Sequence, residues 1–85
     1  MYFFVYMILT KINERYVSYV GYTKNLKNRL SLHNSSKGAK FTKGKIWKLI
    51  YKKKYKTKSI AMKQEYLLKK NFKKRNIIKS KFLKK

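Results

Sequence analysis

The sequence predicts an α+β fold, and three observations predict it. Strand-like runs rich in aromatic and β-branched residues cover residues 2–9, 16–20 and 46–51. Apolar residues at helical spacing follow the second and third of these runs. No proline or long linker interrupts the 85 residues, a length that suits one domain and is too short for two. One domain over residues 1–85 is therefore expected, with a core over about 2–76 and a basic tail at 77–85.

Tyr2 to Leu9 is apolar at both alternating sets of positions, the pattern of a central strand covered on both faces. The run is too short for a membrane span and has no basic leader, so burial in a sheet is expected. A polar connection, Lys11 to Arg15, leads to a second strand at Tyr16 to Val20, which suggests an antiparallel hairpin. Gly21 ends that strand, and Thr23 or Asn25 can cap the helix that follows. On this helix Leu26, Arg29, Leu30 and His33 form one stripe.

Asn34 to Gly38 terminates the helix, and Lys37 to Lys45 reads as a basic loop. Trp47, Leu49 and Tyr51 then alternate with Lys48 and Ile50 as a strand, and Lys52 to Lys58 reads as a connector. Thr57 or Ser59 can cap a second helix whose stripe is Ala61, Glu65, Leu68 and Phe72. Lys73 to Lys85 has the pattern of a third, fraying helix.

Twenty-five Lys and Arg face two Asp and Glu, a formal charge of +23. Such a chain attracts polyanions through counterion release, and nucleic acid is the leading partner. A lysine-rich proteome would give the same excess without any function. With no cysteine there is no disulfide framework and no zinc–thiolate site, which suits a reducing, cytoplasmic compartment.

Glu65 is the sharpest anomaly, a carboxylate in the apolar stripe of a helix. It is either paired with a lysine at the stripe edge or a single oxygen ligand for Mg2+ or Mn2+. Arg29 beside His33 suits phosphate recognition by a planar fork; the alternative is an arginine at the rim and a histidine at the helix end. Tyr6 and Tyr19 lie on paired strands. A phenol that activates water needs its pKa lowered by nearby cations or its proton shared with a neighbour; otherwise both are core tyrosines. The chain has no aspartate, hence no Ser-His-Asp triad; it also has no Gly-rich Walker loop, and too few acids for a two-metal site.

Taken together, Phe4-Val5-Tyr6, Tyr19-Val20-Gly21 and the run from Tyr22 to Leu26 with Arg29 and His33 resemble the GIY-YIG nuclease domain, specifically its small stand-alone bacterial members. Lys37-Gly38-Ala39-Lys40 is similar to a loop of that group, and Glu65-Tyr66 to the family's metal-binding helix. The resemblance covers about residues 2–76 and implies a three-stranded antiparallel sheet flanked by helices. It implies that Tyr6 and Tyr19 line an active site, Arg29 holds the scissile phosphate, His33 serves as base or orients the nucleophile, and Glu65 holds one Mg2+ or Mn2+.

The sequence departs from the pattern in its first motif, which keeps only the tyrosine. It also has Phe41 where relatives often carry tyrosine, and Tyr22 where excision-repair relatives often carry lysine. Either Asn71 or Asn76 could stand for an asparagine sometimes found after the metal helix. The expectation is a metal-dependent endonuclease acting on branched, nicked or duplex DNA in repair or recombination. Lys24, Lys27, Lys37, Lys40, Lys43 and Lys45 are expected to touch the nucleic acid. A non-catalytic nucleic-acid-binding protein is the alternative, and attachment of the lysine-rich tail to membranes a weaker one.

Overall fold

Central strand β1 (Phe3–Ile12) is the element on which the others pack. The structure is a computed structural model and describes residues 1–38 and 40–84. Ala39 of the Lys-Gly-Ala-Lys stretch and Lys85 of the tail lie outside the described residues. After β1 come β2 (Arg15–Thr23), α1 (Leu26–Asn34), a short 3-10 turn at Lys40–Thr42, β3 (Lys48–Tyr55), α2 (Lys58–Lys70) and α3 (Phe72–Leu83). The fold is α+β, with one antiparallel sheet in the order β2-β1-β3.

The two-sided apolar pattern of β1 builds two half-cores. Val5 and Met7 point to one face, where they pack with Val20 of β2 and with Ala61 and Leu68 of α2. Tyr6 and Ile8 point to the other, against Trp47, Leu26 and Leu30 of α1, and Tyr19. Full burial of such side chains contributes roughly 1.5–3 kcal/mol each, so the sheet is anchored from both sides.

Four local expectations are corrected. The hairpin connection is only Asn13-Glu14, because both take positive φ (48° and 69°), as a tight two-residue turn requires, and the strands pair out to Ile12 and Arg15. β3 runs on to Tyr55 through Lys52, Lys53 and Lys54, which pair with β1 while their ammonium groups stay in water on an edge strand. A register shift opposite Met7 and Ile8 breaks the alternation in β3: Leu49 joins the Tyr6 half-core, whereas Ile50 and Tyr51 both join the Val5 half-core. Phe72 is 63% exposed, because Asn71 leaves helical geometry and ends α2 before its stripe reaches that far.

The helix caps are settled by hydrogen bonds. Asn25 caps α1 by accepting from the Asn28 amide at 3.0 Å, and Thr57 caps α2 by accepting from Ile60 at 3.1 Å. Asn71 caps α3 by accepting from Lys74 at 3.0 Å, which commits its side chain to structure.

Gly21 pairs across the sheet with Tyr6, whose ring lies over it. A Cβ at Gly21 would stand 2.5 Å from the Tyr6 hydroxyl and 2.7 Å from its Cζ. The glycine is required by this close approach of a ring, and its absent side chain lets the phenol reach α1. Gly21→Ala is expected to destabilise the fold by about 1–3 kcal/mol in urea denaturation. Tyr6→Leu in the same chain should recover part of the loss. Wild-type stability for the single variant would contradict the account.

Candidate active site

Tyr6 and Tyr19 lie on the sheet face that α1 covers. Leu26 and Leu30 press α1 onto that face, and the helical period then brings Arg29 and His33 inward beside them. The stripe read from the sequence is therefore the inward face of α1, with His33 wholly buried.

A continuous hydrogen-bond path joins these residues. Arg29 Nε donates to the Tyr6 hydroxyl at 3.4 Å, a long bond, and that hydroxyl lies 2.7 Å from His33 Nε2. The other ring nitrogen, Nδ1, is 2.8 Å from Thr42 Oγ1. With the Tyr6 oxygen already accepting from Arg29, we assign its own hydrogen to Nε2, which leaves the Nδ1–H to donate to Thr42. Tyr19 adds its ring face, 5.2 Å from the imidazole centroid.

Burial and charge set the protonation states. Burial raises the Tyr6 pKa above its ordinary 10.0, and the hydrogen bond and charge of Arg29 only partly offset this; Tyr19 and Glu65 add to the rise. The expected lowering of a phenol pKa by cations therefore fails at Tyr6, because desolvation outweighs one guanidinium. The shared-proton arrangement is the one present. Burial, and then the Arg29 charge, lower the His33 pKa below 6.5, so the imidazole is neutral at pH 7. Arg29 is held above the ordinary guanidinium value, first by its bond to Tyr6.

The loop after α1 completes the site, and its role was not read from the sequence. The Asn34 side chain brackets the Trp47 backbone, accepting from its amide at 2.6 Å and donating to its carbonyl at 3.2 Å. The Trp47 indole N–H donates to the Thr42 carbonyl at 3.0 Å, and this sets Thr42 against His33. A side chain at Gly38 would run into His33 Nδ1. Thr42 and Trp47 gave no motif signal, since their work depends on where the loop folds back.

Phe41 is 53% exposed and stacks on Tyr19, with centroids 6.2 Å apart. Lys24, Lys27, Lys37, Lys40 and Lys43 are exposed, Lys24 lying over Phe3 of the opposite half-core, while Lys45 turns back to the Phe41 and Lys43 carbonyls at 3.2 and 3.3 Å. Asn76 is exposed on α3.

Glu65 approaches from α2 and is felt at Tyr6 through its charge. Its side chain is 18% exposed and lies 3.6 Å from Lys69, a loose pair that leaves carboxylate oxygen available. The second carboxylate, Glu14, is at the hairpin tip with Lys11.

A family model described as the GIY-YIG catalytic domain matches residues 2–79. The chain belongs to the GIY-YIG family. It is 40% identical over 67 residues to a UPF0213 protein of Staphylococcus haemolyticus, covering 78% of each chain. A UPF0213 protein of Oceanobacillus iheyensis is 48% identical over 52 residues, covering 60% of each chain. For a UPF0213 protein of Streptococcus pneumoniae the identity is 48% over 60% of this chain and 52% of the relative. The matches thus span between half and two thirds of those last two relatives. The solution NMR structure of a UPF0213 protein from Bacillus halodurans is 33% identical, covering 95% of this chain and 86% of that one at a TM-score of 0.49.

GIY-YIG nuclease domains act on nucleic acid and generally use a divalent metal. Among the described residues no group of three or more His, Cys, Asp or Glu could share an ion. A lone carboxylate suits a hard ion that keeps several waters and takes phosphate oxygens, as Mg2+ does, and does not suit zinc. Among the described residues no helix is long and apolar enough to cross a membrane.

Two measurements probe the buried histidine. Thr42→Val should cost about 1–3 kcal/mol in urea denaturation, because the His33 N–H loses its acceptor. The folded chain also binds the His33 proton less readily than the unfolded chain does. Stability should therefore be complete above about pH 6.5 and fall as pH drops toward the lower folded value. With one histidine and two acidic side chains the signal is nearly isolated, and a urea midpoint that is flat through that window would count against it.

Proposed function

We propose that this GIY-YIG chain is a metal-dependent DNA endonuclease that hydrolyses a phosphodiester bond by in-line attack of water. The observation that carries the reading is the path from Arg29 through Tyr6 and His33 to Thr42, at whose Tyr6 the charge of Glu65 is felt. Arg29 would grip the scissile phosphate with its fork and stabilise the charge that develops on it. His33 is buried, so a proton from the attacking water reaches it through Tyr6: the phenol oxygen takes that proton as its own passes to Nε2. The Nδ1 bond to Thr42 orients the ring and supports the imidazolium, and Arg29 keeps that cation ready to return its proton. Tyr19, half-buried beside the path, helps position the water. Glu65 would hold Mg2+ or Mn2+, which, when bound, polarises the phosphate and neutralises charge on the leaving oxygen.

In this reading residues 1–85 act as one domain with its core at 2–76, and the exposed lysines hold the strand without sequence readout. Structure-selective or loosely selective cleavage in a cytoplasmic repair or recombination process fits such a chain. A non-catalytic nucleic-acid-binding module is the competing reading, favoured by the charge of +23 and the single nearby carboxylate.

Glu65→Gln separates the two. It should abolish cleavage with Mg2+ or Mn2+ while DNA binding in a gel-shift assay stays equal or tightens. Arg29→Ala should lower the cleavage rate by about 10²–10³-fold. If the wild-type protein with either metal cuts no branched, nicked or duplex DNA, the nuclease reading fails and the binding module stands.

A further inference from the structure

Among the described residues, Arg75 Nε is a buried side-chain donor with no hydrogen-bond partner. Buried donors are nearly always satisfied, so an orphan on a charged group calls for an explanation. Neither carboxylate side chain supplies it: among the described residues the ion pairs of Glu14 and Glu65 are with Lys11 and Lys69, and neither reaches Arg75. The guanidinium instead rests over the Phe72 ring at 5.7 Å, which holds the fork on an exposed aromatic surface.

The surroundings are those of an anion site. Arg75 lines a cleft of about 260 Å3 together with Ser18, Tyr19, Val20, Phe41 and Lys69. Ser18 and Val20 lie on the opposite face of β2 from Tyr19, so the cleft wraps a free edge of the sheet. Tyr19 belongs to both sites, facing His33 through its ring and lining this cleft. Phe41, stacked on Tyr19, adds an exposed aromatic face at the same place. Two cations, one of them a planar fork and the other loosely paired with Glu65, thus line a cleft with a base-sized aromatic surface that adjoins the Arg29 path through Tyr19.

We propose that Arg75 and Lys69 form a second phosphate-binding site, which takes a phosphate neighbouring the scissile one on the same nucleic-acid strand. The base beside that phosphate stacks on Phe41, since aromatic faces accept any base. This rests on the reading that the chain binds a nucleic-acid strand at Arg29. It assigns the strand a path around the β2 edge, from α1 towards α3.

The chain has three arginines, Arg15, Arg29 and Arg75, so their Nε–H groups can be followed one by one in ¹⁵N–¹H spectra and assigned with single Arg→Lys variants. The wild-type chain, with a metal chelator to prevent cutting, is titrated with a short oligothymidylate. The Arg75 signal should shift and exchange more slowly with water, as should that of Arg29. In parallel, Arg75→Ala should reduce the slope of log K against log salt by about 0.7, the value for one lost single-strand contact. Lys84→Ala, at the end of α3, sets the baseline for removing a charge.

An Arg29 shift with no Arg75 shift at saturation would overturn the second site and leave the nuclease reading intact. An Arg75 shift without Arg29 would support the second site and remove the phosphate role of Arg29. If neither signal moves, or if the Arg75→Ala slope falls no further than the Lys84→Ala slope, the second site is rejected.

Discussion

The hydrogen bonds at both ring nitrogens of buried His33 are the constraint on which the rest of the structure depends. An imidazole removed from water must recover its lost partners from the protein. Here they come from β1, as the Tyr6 hydroxyl, and from the loop before β3, as Thr42. Each partner imposes a further requirement. Tyr6 reaches α1 only because Gly21 leaves room for its ring, and Thr42 is in place only because Asn34 and Trp47 clamp the loop. One side chain therefore ties together the hairpin, the first helix and the basic loop.

The same burial sets the electrostatics. Desolvation pushes Tyr6 up and His33 down, so both are neutral at pH 7 and the path between them is a pair of neutral hydrogen-bonding groups with a fixed cation at one end. Arg29 supplies that cation in a place where the surrounding lysines, which are exposed, do not compete for Tyr6. A site of this kind can pass a proton without holding a phenolate or an imidazolium at rest. In the proposed reading the high net charge serves a different purpose, drawing a polyanion to the surface over distances that salt can screen.

Sheet order explains why the site is accessible at all. β1, which carries Tyr6, is central and closed on both faces, whereas β2, which carries Tyr19, is an edge. In the proposed reading, groups from α1 on one face and from α2 and α3 on the other meet around that edge. β3, the opposite edge, carries the lysine run that keeps it in water and discourages pairing with another chain. The Tyr6–His33 path and the Arg75 cleft adjoin through the Tyr19 ring.

Much of this was legible in the residues. β1 could be read as a central strand because apolar side chains on both alternating faces have few other uses. The α1 stripe could be read because a helix places every third or fourth side chain on one face, which brought Arg29 and His33 together before any contact was known. Element ends were less legible: the lysine-rich end of β3 has the composition of a loop, and its pairing is decided by β1. The same holds for the Ile50–Tyr51 irregularity, where register overrides alternation.

By itself, the sequence determined the order of elements, the apolar faces and the inward stripe of α1, since these follow from local periodicity. Only the tertiary structure decided that Thr42 meets His33, that the Tyr6 pKa rises, and that the buried Arg75 Nε is left without a hydrogen-bond partner. Those outcomes depend on burial and on contacts between distant segments, and neither is written in local spacing.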